Sequence, residues 1–126
     1  MLVECQISLG ELVDKISILR IKLQFIKDQE LLAHVKLEDQ TLTQCLNKFN
    51  LAGIDEHLLW LIDINTRLWK IEDELREKEK KQEFGDKFIH LARQVYKIND
   101  ERFKMKNMIN QNFGSIIKEV KSYKEY

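Results

Sequence analysis

The sequence predicts an all-α fold: an antiparallel bundle of three to four long helices, one domain over residues 1–126, completed by dimerisation. Three observations predict it. The chain contains no proline, the strongest helix breaker, and only four glycines. Its composition, 44% hydrophobic and 33% charged, is typical of amphipathic helices rather than of sheets or disordered tails. Apolar residues also recur at helical spacing in successive segments.

The first helix is predicted over about residues 9–27. Ser8 and Glu11 fit the spacing of a capping box, and Ile7 and Leu12 can form a hydrophobic staple across the same turn. The segment carries two apolar stripes. The wide one contains Leu9, Leu12, Val13, Ile16, Leu19, Leu23 and Ile26, and the narrow one contains Ile18, Ile21 and Phe25. Two stripes indicate a helix that is sandwiched between neighbours or that contacts a second subunit.

The second helix is predicted over about residues 29–49, with one apolar stripe. Asp28 can serve as its N-cap, which would make the first two helices a tight hairpin. Since nothing stronger than Asp28 interrupts the chain, a single bent helix from Leu9 to Phe49 is the alternative.

The third and fourth helices are predicted over about residues 56–83 and 87–113. A linker at residues 50–55 contains Gly53, and Phe84-Gly85-Asp86 makes the next turn, with Gly85 as C-cap and Asp86 as N-cap. Residues 115–126 form a C-terminal tail. Because the turn at Gly85 is short, these two helices should pack antiparallel along their length.

Four polar side chains interrupt the apolar stripe of the third helix, where residues 64–79 read INTRLWKIEDELREKE. They are Asn65, Glu72, Arg76 and Glu79. The stripe of the fourth helix admits Asn99, Arg102, Lys106 and Asn110. Because the hairpin turn brings both stripes together, we expect one connected polar layer between these helices. Its members are Asn65, Glu72, Asn99 and Arg102, with Arg76 and Lys106 at its edges.

This polar layer has three interpretations, one of which is an interface between the subunits of an oligomer. Ion pairs such as Glu72 with Arg102, or Arg76 with Glu79, would satisfy one another and determine helix register. Alternatively, positive side chains line a cleft that binds an anionic small molecule, with Glu72 as acid, base or orienting group. Asp14 joins this site if the narrow stripe of the first helix packs on the layer. The candidate ligand-binding residues are Asn65, Glu72, Arg76, Asn99, Arg102, Lys106 and Asp14.

Other functional classes are not favoured. The chain carries 21 basic and 21 acidic residues, a balance that argues against nucleic-acid binding. No apolar run approaches the roughly 20 residues of a membrane span, and the N-terminus does not resemble a signal peptide, so we expect a cytoplasmic protein. Two cysteines make no disulfide framework. None of the three histidines follows a Glu at the spacing of a di-iron site, and we expect no metal or cofactor.

Four segments resemble a known family. They are GELVDKISILRIKL (residues 10–23), LWKIEDELR (68–76), FGDKFIHLARQVYKIND (84–100) and KSY (121–123). They resemble a family of short bacterial and phage proteins classed as domain of unknown function 6165. The resemblance covers most of the chain and implies no established activity. The segments it marks include Asp14, Lys15, Glu72, Asp73, Arg76, Asn99 and Asp100. Arg20 departs from the pattern, because an acidic residue is expected after ISIL.

The sequence is more loosely similar to the all-α chorismate mutases, intertwined helical dimers whose Arg, Lys and Glu side chains line a dicarboxylate pocket. Their ordered set of pocket residues cannot be mapped onto this chain, so the likeness concerns architecture alone. We therefore expect a non-enzymatic helical interaction module that self-associates as a homodimer. The alternative is a small enzyme or sensor that binds an anionic metabolite in the polar layer.

Overall fold

The computed structural model describes residues 1–123 and contains four α-helices, with no strand in that part of the chain. The helices are α1 (Leu9–Phe25), α2 (Gln29–Asn47), α3 (Ile54–Lys80) and α4 (Asp86–Asn112). The predicted all-α class is therefore confirmed. No helix of the described segment is long and apolar enough to cross a bilayer.

Helix α1 lies at the centre of the fold and packs against each of the other three helices. Helices α3 and α4 form a long hairpin, and α2 packs on α1. The main core contains Val13 and Ile16 of α1, Leu61 of α3 and Ile109 of α4, all fully buried. Both apolar stripes of α1 are used within the chain, because Leu19 and Ile21, one from each, are also buried. A second, smaller cluster joins α3 and α4 through Ile64, Leu68 and Ile98.

The boundary between α1 and α2 follows from side-chain capping. Asp28 Oδ1 accepts hydrogen bonds from the backbone N–H groups of Glu30 (2.9 Å) and Leu31 (3.1 Å), so the chain breaks there rather than continuing as one bent helix. At the start of α1, Ser8 Oγ accepts a hydrogen bond from the N–H of Glu11 at 3.1 Å. Only this half of the predicted capping box is present, because the Glu11 carboxylate pairs with a lysine of α4 instead.

The turn between α3 and α4 differs from its predicted form. Gln82, and not Gly85, adopts the left-handed conformation, with φ of 58°. The N–H of Glu83 bonds to the carbonyl of Lys78 at 2.9 Å, which is the pattern of a Schellman C-cap. Asp86 is the first residue of α4 rather than its N-cap, a position held by Gly85. The non-helical segment after α4 runs back along that helix and places Lys121 Nζ 5.8 Å from the ring centre of Phe103.

Candidate functional site

A fully buried carboxylate joins α1 to both helices of the hairpin. Asp14 Oδ1 accepts hydrogen bonds from Asn65 Nδ2 and Arg102 Nε, both at 2.9 Å, and Asp14 Oδ2 accepts from Arg102 Nη2 at 2.6 Å. Asn65 Nδ2 also donates to Ser17 Oγ at 2.8 Å, and that hydroxyl donates to the Asp14 carbonyl at 2.6 Å. These four residues form the Asp14 cluster. Its hydrogen bonds connect three helices.

The Asp14 cluster contains part of the predicted polar layer, connected differently from the prediction. Asn65 and Arg102 were expected to meet between α3 and α4, but each bonds to Asp14 of α1. The difference arises because α1 packs on both helices of the hairpin, so its polar side chains reach both stripes. Ser17 was not among the predicted site residues. Its signal was present, since Ser17 lies one turn after Asp14 on the same side of α1.

The structure does not bring Glu72 and Arg76 to this cluster. Both side chains are exposed and make no hydrogen bond or ion pair with residues 1–123, so the predicted pairs of Glu72 with Arg102 and Arg76 with Glu79 are wrong. Helix length explains the difference. Helix α1 has 17 residues and α3 has 27, and Phe25, the last residue of α1, stacks on Trp69 of α3 at 5.9 Å. The polar stripe of α3 runs on past that point.

Next to the Asp14 cluster, Lys106 is buried between two carboxylates. Its Nζ lies 2.8 Å from Glu11 Oε2 and 2.8 Å from Glu119 Oε2, and the other oxygen of Glu119 lies 2.6 Å from Lys121 Nζ. Burial lowers the pKa of Lys106, but the bonds to both carboxylates outweigh it and the pKa is raised. Burial likewise opposes ionisation of Glu119, and the two lysines overcome it, so that the pKa of Glu119 is lowered.

These charged groups surround a cleft of about 270 Å³, which we call the Lys106 cleft. Its lining residues are Glu11, Asn99, Arg102, Phe103, Lys106, Glu119 and Lys121. Asn99, Arg102 and Lys106 belonged to the predicted layer and do lie together here. The sequence pattern did not place Glu119 and Lys121 here, because their position depends on the return of the C-terminal segment along α4. It assigned Glu11 to a capping box instead of an ion pair with Lys106. The described residues contain no group of His, Cys, Asp and Glu side chains suited to a metal ion.

A close contact between α1 and α4 holds the cleft together. The N–H of Gly10 donates to Asn110 Oδ1 at 2.7 Å, and the N–H of Leu9 donates to Ser115 Oγ at 3.2 Å. A Cβ atom at Gly10 would lie 2.4 Å from the carbonyl oxygen of Lys106, so only glycine permits this approach. The first turn of α1 thereby finds acceptors on α4 and on the segment that follows it.

The distal part of the hairpin presents a partly apolar surface. On α3, Glu72 and Arg76 lie on the side that carries Asn65, two and three turns further along. On the two helices of this hairpin, Leu75 of α3 and Phe88 and Val95 of α4 are only half-buried. We call this surface the open hairpin face; it consists of Glu72, Leu75, Arg76, Phe88 and Val95.

Comparison with known proteins identifies one family. The model described as "Family of unknown function (DUF6165)" matches residues 1–126, the whole chain. Neither the search of curated proteins nor the search of solved structures finds a match.

Proposed function

The chain belongs to the family of unknown function DUF6165, and we propose that it is a helical interaction module, not an enzyme, that self-associates through the open hairpin face. The polar groups of the Asp14 cluster support a structural role for that cluster. The Ser17 hydroxyl donates a hydrogen bond to the backbone carbonyl of Asp14, and the Asp14 carboxylate accepts hydrogen bonds from Asn65 and Arg102. Such groups join helices and are not arranged as a nucleophile with its base.

The observation that carries the proposal is the position of Glu72 and Arg76. The side of α3 that meets α1 at Asn65 continues at these two residues without a covering helix. On the same hairpin, Leu75 of α3 and Phe88 of α4 remain half-buried. Another helix packed on this side would remove apolar surface from water, which is the main driving force of protein association.

The charge pattern of α3 supports a second copy of the chain as the partner. In a dimer with two-fold symmetry, each surface patch meets an identical patch. Glu72 and Arg76 carry opposite charges one helical turn apart on α3. When two α3 helices cross antiparallel with the axis near residue 74, Glu72 of each copy faces Arg76 of the other. The open hairpin face is therefore complementary to itself, both in charge and in its apolar side chains.

Charge reversal tests this proposal. We expect the wild-type protein to be a dimer by multi-angle light scattering at micromolar concentration. Glu72→Arg or Arg76→Glu alone places like charges together twice in each dimer and should weaken association by roughly tenfold or more. The double reversal Glu72→Arg/Arg76→Glu restores opposite charges and should restore the dimer.

A matched control lies on the opposite side of α3. Lys70 and Glu74 are also one turn apart and exposed, and neither contributes to the open hairpin face. The double reversal Lys70→Glu/Glu74→Lys should leave association unchanged. A monomeric wild-type protein would overturn the proposal, and so would a double reversal at Glu72 and Arg76 that associates no better than the single ones.

A further inference from the structure

The Lys106 cleft contains the guanidinium group of Arg102, which Asp14 holds in a fixed orientation. Asp14 engages Nε and Nη2 of Arg102 in a bidentate pair, which determines the orientation of the planar group. Arg102 Nη1 has no hydrogen-bond partner within residues 1–123. The side chain is 27% exposed and lines the cleft. An oriented guanidinium with an unused donor suits recognition of a carboxylate or phosphate.

The same cleft already holds one carboxylate. The Nζ atom of Lys106 lies 2.8 Å from Oε2 of Glu119, and the Nζ atom of Lys121 lies 2.6 Å from Oε1. Lys106 is only 6% exposed, so its ammonium group depends on anionic partners inside the fold. The two lysines thus form a site for an acidic group, and a side chain of the chain itself occupies it.

Glu119 is attached in a way that permits its replacement. It lies in the non-helical segment after α4, and its neighbours Lys118 and Val120 are exposed. With Glu119 in place, the cationic groups Arg102, Lys106 and Lys121 are balanced by Asp14, Glu11 and Glu119. Without it, three positive charges face two negative ones. The balance would then favour an anion from solution.

From these contacts we propose that the Lys106 cleft binds a small anion through its carboxylate or phosphate group, and that Glu119 is the internal competitor that this group displaces. The volume of about 270 Å³ lies just below the roughly 300–1,000 Å³ of drug-sized ligand sites, so the cleft is large enough for a small anion. The ring of Phe103 supplies the apolar part of the wall.

Isothermal titration calorimetry with inorganic phosphate and with succinate, at constant ionic strength set by sodium chloride, tests the proposal. Glu119→Gln removes the competing charge and should bind at least one of the two probes about fivefold more tightly than the wild-type protein. Lys121→Met removes one of the cations and should weaken binding by a similar factor. The preferred probe identifies the acidic group.

Lys118→Met is the matched control, since it removes an equal charge from the same segment but does not line the cleft. It should bind like the wild-type protein. The proposal is overturned if Glu119→Gln binds neither probe more tightly than the wild type, or if Lys118→Met weakens binding as much as Lys121→Met. Thermal unfolding of each variant verifies that it is folded. None of these residues belongs to the open hairpin face, so light scattering of the same variants reports separately on self-association.

Discussion

Asp14 is a charged group that the fold removes entirely from solvent, and it is kept there by its partners. Three donor groups from Asn65 and Arg102 contact its two oxygens. Burial of an unpaired carboxylate would cost several kcal/mol, and this set of bonds offsets that cost. The arrangement also specifies where α1 sits along the hairpin, because the donors come from both α3 and α4.

We expect Asp14→Ala to destabilise the protein by about 3 kcal/mol, since it leaves the half-buried Arg102 without its partner. Urea unfolding followed by circular dichroism measures the change. In the double variant Asp14→Ala/Arg102→Met, the loss should be clearly smaller than the sum of the two single losses. As a control, Arg67→Ala breaks an exposed ion pair with Glu101 and should cost less than about 1 kcal/mol. Additive losses at Asp14 and Arg102 would show that the two side chains are not coupled.

At the scale of single residues, helical spacing located Asn65 and Arg102 correctly but could not name their partner. The hairpin turn related the stripe of α3 to the stripe of α4, and the sequence pattern gave no position for α1 relative to either. The acceptor lies on α1, a long way from both in sequence, and periodicity does not contain that distance information. Lys121 and Glu119 were missed for a related reason, because a segment without helical periodicity has no face to assign.

Helix α1 meets α4 at a separation that Gly10 allows. Gly10→Ala should improve helix propensity by roughly 0.5–1 kcal/mol, yet its Cβ would lie 2.4 Å from the Lys106 carbonyl oxygen, a backbone atom that cannot move alone. We expect net destabilisation of about 2 kcal/mol as α1 shifts away from α4. Thermal unfolding measures it. Gly85→Ala is the control, because a Cβ there meets no atom within 4 Å and φ is −80°. Equal melting temperatures for Gly10→Ala and the wild type would contradict this account.

At the scale of elements, the sequence predicted the side-chain cap at Asp28 correctly but not the form of the α3–α4 turn. Asp28 ends the α1–α2 connection through bonds to the following backbone, as its type and position indicated. Gly85 was the obvious residue for the left-handed C-cap, but α3 ends at Lys80 and Gln82 takes that conformation. The hydrogen bond from Glu83 to Lys78 stabilises the earlier ending, and single-residue preferences do not predict it.

For the whole molecule, the unequal lengths of the helices determine what is left uncovered. Helix α1 spans about 25 Å and each hairpin helix about 40 Å at ~1.5 Å per residue, so one short helix cannot cover the entire hairpin. The sequence showed that Glu72 and Arg76 share a side with Asn65. It could not show that the end of α1 lies level with Trp69 of α3 and so does not reach Glu72 and Arg76. Residues read as one polar layer therefore divide into an interior cluster and an exposed surface.

Self-association through the open hairpin face is tested most directly by mixing two variants. Glu72→Arg has two positive charges at positions 72 and 76, and Arg76→Glu has two negative ones. At a concentration between the dissociation constants of the wild type and the single variants, sedimentation velocity should find each variant alone mainly as a monomer, because like charges meet across the two-fold axis. An equimolar mixture should sediment as a dimer, since the two faces are then complementary. A mixture that stays monomeric while the wild-type protein dimerises would contradict the account, as would variants that each dimerise alone as tightly as the wild type.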